Sequence, residues 1–182
     1  MRTYYIQSIV NKPETLIVFQ GNTDRLVKCF VLNDNNDKFL QFSKLVGVAQ
    51  RNLREKDLRM CDYLQGIVGI PIFSSRFMNE FSPILNNEVD FYPIEIQCNG
   101  IVEEFYLAKI KNYIDLIDYE KSGFRTLRDG SKILSHPRVI NKSLDNFLIA
   151  RDKENKSEWV VSEEFKNIAD RTGLKMKFYE TL

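Results

Sequence analysis

A single histidine, His136, serves the whole 182-residue chain. Histidine is the commonest general base and metal ligand near neutral pH, so one copy removes most imidazole-based arrangements at once. A Cys–His or Ser–His pair can run only through His136, and its setting, Ser135-His136-Pro137-Arg138, reads as a surface loop. Cysteine is scarce as well. Cys29, Cys61 and Cys98 are an odd number with no metal-like spacing, which speaks for free thiols in a reducing compartment. The eight glycines form neither a P-loop nor a dinucleotide fingerprint. There is no Gly-x-Ser-x-Gly elbow, no Cys-x-x-Cys and no His-Glu-x-x-His. No apolar run reaches membrane-span length, and the start, Met1-Arg2-Thr3-Tyr4-Tyr5, lacks a secretory apolar stretch. The expectation is a cytoplasmic protein with no membrane partner, no metal and no cofactor. A net charge of +1 gives no general argument for nucleic acid either.

What the chain does have is aromatic mass and uneven charge. Thirteen phenylalanines and eight tyrosines allow a sizeable core in one domain, residues 1–182, with 1–57 as a possible N-terminal subregion. Residues 61–120 hold three basic and ten acidic side chains, net −7, while the segments before and after are each net +4. Such an acidic middle is either a solvated face beside basic neighbours that cancel it, or a docking surface for a basic partner.

Two stretches 88 residues apart echo each other: Ile72-Phe73-Ser74-Ser75-Arg76-Phe77-Met78-Asn79 and Val160-Val161-Ser162-Glu163-Glu164-Phe165-Lys166-Asn167. Each is an apolar pair, a serine suited to cap a helix, and a phenylalanine three residues on. Glu163 and Glu164 fall in a first helical turn, where the helix dipole favours negative charge. Phe165, Ile168, Ala169 and Thr172 continue one helical stripe, and Gly173 supplies a left-handed stop. In the first copy Phe77, Phe81, Ile84 and Leu85 form the stripe, and Pro83 breaks it, with Ser82-Pro83 opening a second short turn. Each copy is followed by an extended run, so each reads as strand, capped helix, strand.

Elsewhere, strands are expected over 3–10 and 15–19 around a turn at Asn11-Lys12-Pro13-Glu14, and over Val27–Leu32 before a polar loop at 33–37. Asn99-Gly100 between two apolar-rich runs predicts a type I′ hairpin over 89–110. That register pairs Cys98 with Ile101 and Ile96 with Glu103, and it sets Glu95 against Glu104, an unfavourable like-charge pair. Phe147–Ile149 and Glu158–Val161 read as later strands. Hairpins dominate, so the expected class is α+β, a mostly antiparallel sheet with a few short helices.

Candidate chemistry is thin. Glu95 with Glu103 and Glu104 resembles an acid/base pair only in composition, and Asp115, Asp118 and Glu120 only loosely suit a hard cation. Arg51, Arg54, Lys56 and Arg59 form a basic cluster without the interleaved aromatics that a nucleic-acid platform needs. No catalytic residues are assigned, and no nucleic-acid partner is expected.

Taken in order, these residues resemble a known family. Asp62-Tyr63-Leu64 precedes the Ile-Phe-Ser-Ser-Arg-Phe helix start. Val89-Asp90-Phe91-Tyr92-Pro93-Ile94, the hairpin and Phe105-Tyr106-Leu107 follow. Asn112-Tyr113-Ile114-Asp115-Leu116-Ile117-Asp118-Tyr119-Glu120-Lys121-Ser122 and Trp159–Phe165 complete the series. The series resembles immunity protein family eleven of bacterial polymorphic-toxin systems, over about residues 58–182. The resemblance implies a non-enzymatic protein that binds and neutralises a cognate toxin stoichiometrically. The acidic middle then points to a basic toxin domain, with Glu103, Glu104, Asp115, Asp118 and Glu120 as candidate toxin-facing residues. Two rival classes stay open: a carboxylate-dependent hydrolase that reverses a toxin's modification, and a regulatory module binding peptides or nucleic acid.

Overall fold

Strand pairing builds two large sheets, in a computed structural model that describes residues 2–10, 15–21, 23–34, 37–50, 53–140 and 146–181. The turn expected at Asn11–Glu14, the middle of the polar loop at 33–37, and Arg51 lie outside the described residues. From the N-terminus, β1 (Thr3–Ser8) and β2 (Ile17–Phe19) lead into α1 (Thr23–Leu26), which continues as a π-helical turn over Val27–Val31. A 3₁₀ turn (Lys38–Gln41), β3 (Val46–Ala49), α2 (Glu55–Met60), β4 (Tyr63–Gln65) and β5 (Pro71–Ser74) follow. Then come α3 (Ser75–Leu85), β6 (Val89–Cys98), β7 (Ile101–Ile110), β8 (Tyr113–Ile114), β9 (Gly123–Thr126) and β10 (Lys132–His136). The chain closes with β11 (Ile149–Asp152), β12 (Trp159–Ser162), α4 (Glu163–Thr172) and β13 (Met176–Glu180).

The strand expected over Val27–Leu32 is thus helical. Leu26, Cys29 and Phe30 recur at helical spacing and are all buried, so one face of the turn reaches the core. That burial outweighs the strand propensity of the valines.

One sheet has the order β13-β1-β12-β11-β8 and the other β2-β3-β6-β7-β5-β4, with β9 and β10 forming a separate two-stranded ribbon. Pairing is mostly antiparallel, with parallel contacts at β3–β6 and β8–β11. The class is α+β, with mixed sheets. Strands from the first 57 residues enter both: β1 is an inner strand of one sheet, and β2 and β3 extend the other.

The echo folds as two copies of one unit. β7 pairs antiparallel with both β5 and β6, so β5 and β6 run parallel with one strand between them and α3 as the crossover. β1 does the same for β12 and β13, with α4 as the crossover. Each is a split β-α-β unit. The caps work as the sequence implies. Ser74 Oγ accepts from the Phe77 N–H and Ser162 Oγ from the Phe165 N–H, both at 3.2 Å. Gly173 ends α4 at φ 69°. Pro83 does not break α3, because it lies in the last turn and the helix runs through to Leu85.

The hairpin has the predicted register, including Cys98↔Ile101, Ile96↔Glu103 and Glu95↔Glu104. Asn99 and Gly100 both take positive φ (49° and 91°), as a type I′ turn requires.

Strand alternation sorts the core. On β7, Phe105 and Leu107 join a cluster with Leu26, Phe30, Ile94 and Ile96, while Ala108 and Ile110 join the cluster shared with α3 and α4. On β12, Val161 faces that shared cluster and Val160 faces a third with Leu116 and Ile117. The two helices meet through phenylalanine rings. Phe77 stacks on Phe73 (3.9 Å between centroids) and Phe81 (4.4 Å), and Phe165 reaches Phe81 at 4.4 Å.

Asp62 ties the units together. It is buried, and its carboxylate accepts from Ser74 Oγ (2.5 Å), the Lys175 N–H (2.6 Å) and the Arg76 guanidinium. Burial alone would raise its pKa. The Arg76, Lys175 and Ser74 hydrogen bonds override that and hold it below the usual carboxylate range.

These contacts set an order of sensitivity. Ser162→Ala removes a cap oxygen and should cost about 1 kcal/mol. Phe165→Ala empties a fully buried ring site and should cost roughly 3–5 kcal/mol. Urea midpoints check both; a neutral Phe165→Ala would mean that the ring is not in the core.

Candidate functional site

The five candidate carboxylates fall in two separate places. Glu103 and Glu104 are neighbours on β7 and therefore point to opposite faces of the sheet. Glu103 is held by the Arg59 guanidinium of α2 at 2.7 Å. Glu104 is exposed and accepts from Tyr106 Oη at 2.6 Å. Asp115, Asp118 and Glu120 follow β8 at the edge of the other sheet. Asp115 pairs with Lys153 (3.0 Å) and Asp118 with Lys121 (2.9 Å). Asp118 also organises its turn: Oδ1 accepts the Lys121 N–H, and its backbone carbonyl accepts Ser122 Oγ at 2.7 Å. Ser122 Oγ in turn accepts the Arg138 N–H. The Lys121 ammonium and N–H hold the Asp118 carboxyl below its ordinary value.

The acidic middle is largely cancelled by basic residues from the other thirds of the chain. Lys44 pairs with Glu95, Arg59 with Glu103, Lys153 with Asp115 and Lys121 with Asp118. Inside the segment, Asp90 pairs with Lys111 and Asp62 with Arg76. Glu88 is spent on the backbone N–H groups of Leu148 and Ile149. The Glu95–Glu104 opposition is relieved on one side only: Lys44 Nζ lies 2.8 Å from Glu95, whereas the Glu104 partner is the neutral Tyr106 hydroxyl.

Unpaired positive charge gathers on the β9–β10 ribbon. Arg125, Arg128 and Lys132 are exposed there and take part in no ion pair among the described residues. His136 is exposed on the same ribbon, with Nδ1 3.0 Å from Ser135 Oγ.

A polar cleft of about 240 Å³ opens where the sheets meet, between the Gly66–Ile70 loop and the start of β12, and Tyr5, Glu158 and Trp159 line it. Behind its wall lies Arg151, fully buried. Its guanidinium donates to the Gly69 carbonyl at 2.9 Å and to the Lys156 carbonyl, pinning the two loops that frame the cleft. Burial lowers the Arg151 pKa to about 10, so it stays charged at neutral pH. Arg151 Nε and Tyr5 Oη have no hydrogen-bond partner among the described residues. Burial raises the Glu158 pKa, the Asp152 charge adds to this, and Arg151 opposes it. Asp152 itself is a structural hub that accepts from the Leu116 and Ile117 N–H groups and from Tyr119 Oη. Sequence reasoning missed this cleft because Arg151, Gly69 and Tyr5 are far apart in the chain.

Among the described residues, no three histidine, cysteine or acidic side chains group to hold a metal ion. No helix there is long and apolar enough to cross a membrane. The three cysteines are free and buried, and burial raises the pKa of each thiol, which keeps them unreactive.

No protein-family model matches the chain, and no curated protein matches it.

The Glu158 environment has a signed consequence. A carboxyl whose folded pKa lies above its unfolded value, about 4.3, weakens folding once pH exceeds the folded value, and this penalty disappears below the unfolded one. Glu158→Gln should therefore raise the urea midpoint at pH 7, with the gain vanishing toward pH 4. A lower midpoint at pH 7 would mean that attraction to Arg151 outweighs desolvation.

Proposed function

We propose that this protein is an immunity protein that binds and neutralises a cognate polymorphic toxin in the cytoplasm, one molecule per toxin. What carries the reading is the resemblance to immunity protein family eleven of the ordered series of residues from Asp62-Tyr63-Leu64 to Trp159–Phe165. What supports it further is where those residues sit. Asp62 bridges the two split units, Ser74 and Ser162 cap their helices, and Asp118 with Ser122 closes the turn after β8. They make a scaffold, and a scaffold of two interlocked sheets offers rigid surfaces to a partner.

Tight inhibition needs roughly 800 Å² buried on each side, with aromatic anchors at the centre and charged residues at the rim. The toxin domain is basic in this reading. Glu103, Glu104, Asp115, Asp118 and Glu120 are the proposed toxin-facing carboxylates. Their split between two sheets means that one flat interface engages only part of the set.

Stoichiometry tests the mode of action. The C-terminal domain of the neighbouring gene's product, taken as the candidate toxin and titrated with the purified protein, should lose activity linearly and reach full inhibition at a one-to-one ratio. Full protection at far below equimolar protein would replace binding by turnover, as in a hydrolase that repairs the toxin's target.

A further inference from the structure

Phe42 is the most exposed large apolar side chain among the described residues, at 87%. An aromatic ring left in water orders solvent and gains nothing from the fold. It does not stand alone. Its neighbours in the chain, Leu40, Ser43, Lys44 and Leu45, form one wall of a small depression of about 200 Å³. Tyr92, Pro93 and Ile94 of β6 form the opposite wall, and the rim carries Lys44, Glu95 and Glu104. The turn that carries the ring is anchored: Leu40 packs on the core cluster of the six-stranded sheet, and the Phe42 N–H donates to the Phe39 carbonyl at 3.1 Å.

Charge points to the kind of partner. Two carboxylates lie directly opposite each other at this rim, against one ammonium, Lys44, which sits on Glu95. Glu104 is exposed and hydrogen-bonded to a neutral hydroxyl. The hairpin tolerates a like-charge pair that costs stability at the edge of an apolar depression. An exposed aromatic, an adjoining apolar hollow and an acidic rim together form the pattern of a binding hot spot with its surrounding ring.

We infer that the Phe42 ring and the Tyr92–Glu95/Glu104 depression form the docking surface for the cognate toxin, which presents a basic side chain to Glu104 beside an apolar group that covers Phe42. This rests on the proposed function above and names the part of the molecule that carries it out. Among the five candidate carboxylates it singles out Glu104, and it adds Phe42, which no sequence pattern marked.

The test uses the C-terminal domain of the neighbouring gene's product as the candidate toxin, and four forms of the full chain: wild type, Phe42→Ala, Glu104→Lys and Phe124→Ala. Phe124 is an exposed apolar residue on the β9–β10 ribbon and serves as the control. Thermal melts establish that each form folds. Phe42→Ala should raise Kd at least about tenfold, mainly through faster dissociation. Glu104→Lys should slow association, with a larger effect at low salt. Phe124→Ala should bind like wild type. Wild type that binds while Phe42→Ala and Glu104→Lys bind equally well would overturn this inference and leave the immunity reading standing. Wild type that does not bind would overturn both. A wild type that is dimeric alone, and monomeric as Phe42→Ala, would assign the patch to a second copy of the chain and overturn the inference.

Discussion

The contact between Phe81 of α3 and Phe165 of α4 is where the two halves of this molecule become one. Each split β-α-β unit has its own sheet, and each helix has one apolar stripe to bury. Neither stripe is covered by its own sheet alone. The stacked run Phe73, Phe77, Phe81, continued by Phe165, supplies a common interior, and all four rings are fully buried. The helix caps follow from this demand. Ser74 and Ser162 begin each helix three residues before the phenylalanine that must face the seam, so a slipped start would turn the ring out of it. Asp62 adds a polar clasp at the rim of the same seam, joining the start of α3 to the chain entering β13.

Electrostatics are arranged around that scaffold rather than across it. The net −7 of the middle third looks like a long acidic face in the sequence. In the fold, Lys44, Arg59, Lys121 and Lys153 come in from the other thirds and neutralise much of it. Exposed pairs of this kind add little stability. Their effect is on where unpaired charge survives among the described residues, which in the middle third includes Glu80, Glu104 and Glu120, and beyond it the basic β9–β10 ribbon. Interior polarity follows a different rule. Arg151 is wholly buried and is retained by bonding to two loop carbonyls, which shapes the cleft beside Glu158.

Much of the fold was legible wherever the determining physics is local. Asn99-Gly100 specifies a turn whose backbone needs two positive φ angles, and the register follows residue by residue. Serine caps and the Gly173 stop are equally local. The strand expected over Val27–Leu32 is helical instead, because burying Leu26, Cys29 and Phe30 at helical spacing outweighs the β propensity of the valines. The surface was far less legible. Composition by thirds cannot know that Arg59 will reach Glu103, or that adjacent Glu103 and Glu104 will face opposite ways on β7. Phe42 carries no signal in the sequence, since a lone aromatic between Gln41 and Ser43 is as compatible with a core as with water.

The account turns on whether the two units share a single core, and a double-mutant cycle measures this directly. Phe81→Leu, Phe165→Leu and the double variant would be unfolded in urea beside wild type. Rings in direct contact across the seam should show a coupling of about 0.5–1.5 kcal/mol, with the double variant departing from additivity by that amount in a single cooperative transition. Additive costs, or two separate transitions, would contradict the account and make the helices independent layers.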